Sequence, residues 1–377
     1  MGQGYNGNYQ EYLASIREFV YGELEVLAEE MEETHKYPPS LWDEFRQRDI
    51  FRLTIPQKYG GLGFNDSQYF PILEEIGKSN GGIRLLVHGW NGIAMHCIWH
   101  GGREEQKDKY LPMMVRGDWM SAYALTEPGT GTGADIQMSA TRDGDNFILN
   151  GTKHMISYAD IANCFTVFAY TDKSLGTRGM TGFLVERDRP GFEIAYMEAM
   201  GMHGSPHGLL KFKDCVVPGE NVLGEVGQGF DISMGVLPHS RLSISVLCLG
   251  PAERLLELSI DYAKKKVSFG KVIAKRQAVQ GILADMATSI YAAKSMIYDT
   301  VRLSDLGVNF EKEAAMCKLF AAEMVRRVSD QAIEVHGGLG YFQGLPVERI
   351  YRDCRSLFFE EGTPTIQRAI ISGELLR

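Results

Sequence analysis

Apolar side chains recur three or four residues apart along the first part of the chain. The clearest stripe runs through Tyr12, Ile16, Phe19, Val20 and Leu24. This spacing places the side chains on one face of an amphipathic helix. The pattern therefore predicts an N-terminal all-α domain over residues 1–120.

A different pattern begins after residue 120. Short runs of β-branched and aromatic residues occur at Phe147–Leu149, Phe165–Phe168 and Gly182–Val185. Asp143-Gly144 and Asn150-Gly151, which separate some of these runs, have the composition of hairpin turns. Residues 121–232 are therefore predicted to form a small antiparallel β-sheet domain.

Helical spacing returns over residues 233–377. One apolar face runs from Ile282 to Val301, and a second long helix is predicted from Glu311 to Val335, ending before Gly337-Gly338. Several long helices in this region favour a C-terminal bundle. No repeat or Gly/Ser-rich linker separates the three parts, so we expect an α+β fold, mostly α, packed as one unit.

Composition excludes several classes of protein. The 377 residues include 39 basic and 48 acidic side chains, a net charge of −9, so we expect no binding to nucleic acid or to an anionic membrane surface. The longest apolar runs are shorter than the roughly 18 residues that a membrane span needs. The six cysteines are dispersed without a Cys-x-x-Cys pair, which predicts neither a zinc site nor a disulfide framework.

Other features narrow the chemistry and the compartment. The histidines form no metal-binding pair on a helix with a glutamate between them, and no Gly-x-Ser-x-Gly turn is present, so we expect neither metal catalysis nor hydrolysis. Dispersed cysteines fit a reducing compartment. The first residues carry no recognisable address, so we expect the cytoplasm, or the mitochondrial matrix if a transit peptide has been removed.

The richest glycine cluster spans residues 128–135. It satisfies the loose G-x-G-x-x-A pattern of a dinucleotide-binding turn. However, the residues that follow have no helical stripe and lead into a strand, which argues against a Rossmann unit. Two interpretations stay open: a loop with a purely structural role, or a loop whose backbone closely approaches a polar, planar ligand.

Two adjacent carboxylates, Glu360 and Glu361, follow two aromatic residues near the C-terminus. They could simply be the polar end of a helix. Alternatively, one could be held in an apolar pocket, where desolvation makes it a stronger base. Successive side chains on a helix diverge by about 100°, so we expect that the two do not point into the same pocket.

Several motifs together resemble the acyl-CoA dehydrogenase family of flavoproteins over nearly the whole chain. In order, they include Pro56–Gly61, Ala124–Pro128, Leu149–Lys153, Ser268–Lys271, His336–Tyr341 and Glu361–Thr363. The resemblance implies a helical domain, a β domain and a four-helix bundle. It also implies a homo-oligomer, most often a tetramer, with FAD bound non-covalently between the β domain and the bundle.

The resemblance implies a set of cofactor-binding residues, some of which reach FAD in a neighbouring subunit. They are Tyr123, Leu125, Thr126, Gly131, Thr132, Ile156, Ser157, Lys266, Ser268, Phe269, Gln277, Glu334, Gly338 and Thr363. Lys266 stands where relatives have an arginine, and Glu334 where they have a glutamine. Lysine keeps the charge but loses the bidentate geometry of arginine.

The resemblance further implies that Glu361 is the catalytic base for α,β-dehydrogenation of an acyl thioester. The implied substrate-binding residues are Thr132, Ser240, Arg241, Glu360 and Gly362. Glu360 replaces a tyrosine beside the base, which suggests an unusual acyl group. The substrate would be an acyl-CoA or an acyl-carrier-protein thioester, and the electron acceptor an electron-transfer flavoprotein. The alternatives are an enoyl reductase, or a flavin oxidase or monooxygenase of the same fold.

Overall fold

The computed structural model describes residues 7–130, 133 and 135–377. The N-terminal part is helical, as predicted. Its helices are α1 (Tyr9–Phe19), α2 (Glu25–Thr34), α3 (Ser40–Gln47), α4 (Asp66–Ile76), α5 (Gly81–Gly89), α6 (Met95–Gly101) and α7 (Glu104–Val115). Asn8, Asn65 and Asn80 precede α1, α4 and α5, and each side chain accepts a hydrogen bond from the first turn of its helix.

An eight-stranded sheet follows the helical part. Its strands are β1 (Ser121–Ala124), β2 (Ser139–Asp143), β3 (Asn146–Ile156), β4 (Cys164–Tyr170), β5 (Met180–Glu186), β6 (Phe192–Met197), β7 (His207–Pro218) and β8 (Val222–Leu223). The order is β6-β7-β3-β2-β4-β5-β8, and β1 pairs with β4. The three predicted apolar runs lie in β3, β4 and β5, so these strands are confirmed.

Two expectations about the sheet are wrong in detail. The sheet is mixed, because β4 pairs in parallel with both β1 and β2. Asn150-Gly151 is not a hairpin turn but lies inside β3, at an irregularity in its pairing with β7. Gly151 has φ 149°, a conformation that glycine adopts without strain. The glycine therefore forms a bulge here instead of a turn. The turn at Asp143-Gly144 does join β2 to β3.

The C-terminal part is a helical bundle. Its helices are α8 (Gly229–Gly235), α9 (Leu237–Lys265), α10 (Gln277–Asp305), α11 (Glu311–His336), α12 (Pro346–Cys354) and α13 (Pro364–Leu375), with a small hairpin of β9 (Val267–Ser268) and β10 (Lys271–Val272) between α9 and α10. Both predicted long helices are confirmed as α10 and α11. The second ends at Gly337, which has a positive φ of 61°.

Helix α9 lies at the centre of the bundle. Within the described residues, the stretch Gly229–Lys265 alone is long and apolar enough to be a candidate membrane span, and 72% of its apolar window is buried inside the protein. Its partners are α4, α10, α11 and α12. Helix α5 joins the three parts through two hydrogen bonds. The hydroxyl of Tyr158, just after β3, donates to the carbonyl of Leu85 on α5. The N–H of Gly81, at the start of α5, donates to Asp353 on α12.

Candidate functional site

Glu361 lies in a tight turn between α12 and α13. A short 3-10 turn, Ser356–Phe358, precedes it. Glu361 has a φ of 54°, a left-handed conformation that is uncommon outside glycine. The prediction that the two carboxylates stand at the end of a helix is therefore wrong, because the chain has already left helical geometry at this point.

Two buried side chains hold the backbone of this turn. The Lys318 ammonium, on α11, donates to the carbonyls of Phe358 at 3.1 Å and Gly362 at 2.6 Å. The Gln367 amide, on α13, donates to the carbonyls of Glu361 at 2.9 Å and Gly362 at 3.0 Å. Both side chains are completely buried. The position of the Glu361 side chain thus depends on α11 and α13.

Both carboxylates face helix α5. Glu361 Oε1 lies 3.9 Å from His88 Nε2, and Glu360 Oε2 lies 3.8 Å from Arg84 Nη1. Arg84 and His88 are four residues apart, on one face of α5. Glu360 and Glu361 thus have separate partners on α5. The left-handed backbone at Glu361 replaces the helical rotation on which the expectation of diverging side chains rested.

Helix α9 completes the surroundings of the carboxylate. Ser240 Oγ lies 3.4 Å from His88 Nε2, and Ser243 Oγ lies 2.9 Å from His88 Nδ1. Arg241, also on α9, pairs with Glu311 at 3.7 Å. Burial lowers the pKa of Arg241, although the nearby charges of Glu361 and Glu311 oppose this effect. The structure thus brings the predicted residues Ser240 and Arg241 close to Glu361.

His88, Arg84, Lys318 and Gln367 were not among the predicted site residues. A signal for the first two exists in the sequence, since they are basic residues at helical spacing in the otherwise apolar stretch 83–88. Lys318 carries no comparable signal, because a lysine on a helix is usually exposed.

The ends of β1 and β3 bring together another predicted group. Tyr123 is on β1, Leu125 and Thr126 follow it, and Ile156 and Ser157 stand at the end of β3. The His154 N–H donates to the Thr126 carbonyl at 3.0 Å, so these two segments lie side by side. The Tyr123 hydroxyl donates to the Ser233 carbonyl at 3.3 Å. Burial, Cys97 and Glu361 raise the pKa of this phenol.

A buried ion pair fixes this arrangement. Lys153 Nζ donates to Glu127 Oε1 at 2.7 Å and to the Leu125 carbonyl at 2.9 Å. Glu127 in turn accepts from the backbone N–H groups of Gln137 and Met138. The pair joins the motif 124–128 to the motif 149–153. The two motifs are therefore one structural unit, which also holds the backbone of Leu125.

Six of the remaining predicted residues are on the C-terminal bundle. Lys266, Phe269, Gln277, Glu334 and Gly338 are exposed, and Ser268 is half-buried. In the described part of the chain, no hydrogen bond or ion pair joins them to the Glu361 turn. Thr363 and Gly362 complete that turn just before α13. Gly131 and Thr132 lie outside the described residues.

The geometry around Glu361 suits proton transfer. Its side chain is 15% exposed, so it can reach a ligand while most of it is shielded from water. It lies beside an imidazole and within the field of Arg241. A carboxylate in such surroundings can accept a proton from a bound substrate, or donate one when protonated.

Comparison with known proteins identifies the family. The chain matches the acyl-CoA dehydrogenase N-terminal domain over residues 7–118, the middle domain over 122–215 and the C-terminal domain over 227–376. It is 37% identical to the acryloyl-CoA reductase (NADH) of Anaerotignum propionicum over 98% of this chain and 94% of that protein. It is 36% identical to the caffeyl-CoA reductase-Etf complex subunit CarC of Acetobacterium woodii over 96% of each.

A solved structure agrees with these sequence matches. The butyryl-CoA dehydrogenase from Megasphaera elsdenii superposes with a TM-score of 0.92 at 34% identity, covering 100% of both chains. Members of this family are FAD-dependent oxidoreductases. The match extends through all three domains, in the order that the sequence predicts. The chain therefore belongs to the acyl-CoA dehydrogenase family.

Proposed function

We propose that this protein catalyses the α,β-dehydrogenation of an acyl thioester, acyl-CoA to trans-2-enoyl-CoA, with Glu361 as the base. The observation that carries the proposal is the placement of Glu361. It is a largely buried carboxylate, fixed through its backbone and set against basic groups. An α-proton is weakly acidic, so a base must be held close to it and in the correct orientation.

The same turn offers a group for the thioester carbonyl. As the α-proton leaves, negative charge develops on the carbonyl oxygen, and a hydrogen-bond donor there stabilises it. The backbone N–H of Glu361 makes no backbone hydrogen bond within the described part of the chain. We propose that it donates to the substrate carbonyl, so that one residue supplies both the base and a donor.

The residues present fit FAD. Gly129 and Gly133 have positive φ values and open space at the position of a Cβ, and the Thr130 hydroxyl between them is buried without a partner in the described part of the chain. These are features of a loop that closely approaches a polar ligand. We propose that Tyr123, Thr126 and Ser157 contact the flavin. When bound, FAD supplies the hydride acceptor for the β-carbon.

A second function has its own support. The two relatives described above are named as reductases of acryloyl-CoA and caffeyl-CoA. In an enoyl-CoA reductase the same geometry works in reverse, and protonated Glu361 donates to the α-carbon. One relative is a subunit of an Etf complex. We therefore propose an electron-transfer flavoprotein as the redox partner in either direction.

We also propose that the protein works as a homo-oligomer in the cytoplasm. Phe269 is 96% exposed and Tyr341 is 82% exposed in the single chain, and such aromatics are common in contacts between protein chains. The proposed FAD-binding residues Lys266, Ser268 and Gln277 lie near Phe269. All six cysteines are free and buried, which fits a reducing compartment.

Substitution of the two carboxylates tests the function. Glu361→Gln keeps the shape but cannot accept the α-proton, so flavin reduction by a saturating acyl-CoA should slow by about 10²–10⁴-fold. Glu360→Gln is the matched control and should retain most of the rate. Rapid mixing under anaerobic conditions with a panel of acyl-CoAs measures both, and flavin oxidation by enoyl-CoAs tests the reverse direction. If Glu361→Gln reduces its flavin at the wild-type rate, the proposed mechanism is wrong.

Oligomerisation and FAD retention should be coupled. Tyr341→Asp should lower the molar mass measured by light scattering and release FAD on gel filtration, because binding and assembly stabilise each other. Tyr196→Ser changes another exposed aromatic, on β6, and should alter neither property. A monomeric Tyr341→Asp variant that keeps all its FAD would contradict the coupling.

A further inference from the structure

His88 is a polar side chain at an unusually apolar place. It lies on α5 next to Val87 and one turn from Arg84, and its side chain is only 2% exposed. Burial of an imidazole is costly unless its ring nitrogens have partners. The partners of the two ring nitrogens therefore indicate the role of His88.

Two serines on one face of α9 orient the ring. Ser243 Oγ is 2.9 Å from Nδ1, and Ser240 Oγ is 3.4 Å from Nε2. Both serines are buried. In a neutral imidazole one nitrogen accepts and the other donates. If the Ser243 hydroxyl donates to Nδ1, then Nε2 carries the proton and points toward Ser240 and Glu361.

The third neighbour of the ring is the proposed base. Glu361 Oε1 is 3.9 Å from His88 Nε2. An ionised carboxylate only accepts hydrogen bonds, so an N–H at this place stabilises it. The separation is longer than a hydrogen bond, as is common for catalytic contacts that tighten when a substrate binds.

We propose that His88 is a positioning residue that orients Glu361 and stabilises its ionised form. This inference rests on the proposed function of Glu361 as the base. His88 itself exchanges no proton with the substrate. It acts only through the carboxylate, held in place by Ser240 and Ser243.

Other ionisable groups surround the pair. Those on α4, α5 and α6 are Tyr69, Arg84, His96 and Cys97. Those on the other elements that pack around the pair are Tyr123, Tyr158, Arg241, Lys318 and Glu360. Arg84 faces Glu360, and Arg241 pairs with Glu311. Both guanidinium charges are constant at ordinary pH. A neutral substitution of His88 therefore changes the donor beside Glu361 and leaves these charges in place.

The test replaces the imidazole and follows the protonation of Glu361. In His88→Leu the carboxylate loses a donor, so the pH midpoint at which it takes up a proton should rise. His88→Gln keeps an N–H donor and should move the midpoint less. His100→Gln, on α6, changes a histidine that interacts with His239 and Lys107; it is the matched control and should leave the midpoint unchanged. Infrared difference spectra against Glu361→Gln isolate this carboxyl signal without any turnover.

A second readout is the pH profile of flavin reduction. Below the wild-type midpoint, His88→Leu should reduce its flavin severalfold more slowly than the wild type, and the rate should recover at higher pH. A variant that loses thermal stability but keeps the wild-type midpoint would overturn the proposal, because His88 would then be only structural.

The design separates this inference from the proposed function. If no acyl-CoA reduces the flavin, the proposed function fails, but the infrared titration still decides the role of His88. If His88→Leu does not fold, His88→Gln and Ser243→Ala decide instead, since Ser243→Ala removes the partner of Nδ1. An unchanged midpoint in both of these variants would likewise overturn the proposal.

Discussion

Buried polar side chains, rather than apolar ones, position the proposed base. The turn that carries Glu361 has a backbone conformation that needs support, and Lys318 and Gln367 provide it through four hydrogen bonds to carbonyl groups. Burial lowers the pKa of Lys318, and the nearby Cys248, Glu360 and Glu361 oppose this effect. The lysine thus lies in the interior with two carbonyl acceptors and two carboxylates nearby.

Replacement of Lys318 tests this support. In Lys318→Met the carbonyls of Phe358 and Gly362 lose a buried donor, so the free energy of unfolding should fall by about 3 kcal/mol. Flavin reduction should also slow, because Glu361 is no longer held in place. Lys312→Met, on the same helix but more exposed, is the matched control and should change stability by less than about 0.5 kcal/mol. Equal effects from the two changes would show that the Glu361 turn does not depend on Lys318.

At the scale of elements, close contact between α5 and the end of β3 joins the helical and sheet domains. Gly89 allows this contact, because a Cβ there would lie 2.3–2.4 Å from atoms of the Tyr158 ring. The Tyr158 hydroxyl bonds to the Leu85 carbonyl on the same helix. Arg84 and His88 therefore keep a fixed position relative to the strands that carry the proposed flavin contacts.

A single methyl group should disturb that contact. Gly89→Ala should lower the free energy of unfolding by about 1–3 kcal/mol, because either the helix or the buried tyrosine ring must shift to make room for the methyl group. Gly22→Ala is the control, since a Cβ there has nothing within 4 Å, and it should be neutral or stabilise by up to about 1 kcal/mol. Chemical denaturation of both variants measures the difference. If Gly89→Ala is as stable as the wild type, the packing of α5 on Tyr158 is looser than the structure shows.

At the scale of the whole molecule, six buried thiols link stability to pH. Burial raises the pKa of Cys215 and Cys317 to about 11 and that of Cys248 to about 12, from an ordinary value of 9.0. It also raises the pKa of Cys97, Cys164 and Cys354. Above about pH 9 the unfolded chain therefore binds fewer protons than the folded chain.

Stability should decrease as the pH rises through this window. Each thiol contributes up to about 1.4 kcal/mol per pH unit between its unfolded and folded pKa values. Lys153 acts in the opposite direction, since burial lowers its pKa to about 8 despite the charge of Glu127. Thermal unfolding in the presence of a reductant, from about pH 8 to pH 10, should show a falling midpoint. A double variant, Cys215→Ala and Cys317→Ala, should show a shallower decline, and a flat wild-type profile would refute the prediction.

The sequence by itself determined the local elements. The periodicity that predicts α10 and α11, the β-rich runs of β3 to β5 and the Asp143-Gly144 turn depend on residues close together in the chain, so local preference is enough to specify them. The order of the motifs likewise indicated the family, and its last motif pointed to Glu361 as the proposed base. The prediction of a hairpin turn at Asn150-Gly151 is wrong because the same dipeptide can form a turn or a bulge. Pairing with β7 decides between the two.

Only the tertiary structure decided how the site is built. Residues far apart in the chain meet where His88 and Arg84 approach the two carboxylates and where Lys318 binds the Glu361 turn. These contacts support the left-handed backbone of Glu361. No local pattern specifies such contacts, because they exist only after α5, α9, α11 and the final turn have packed together. The physical reason is that a buried polar group is stable only with its partners in place, and those partners come from other elements.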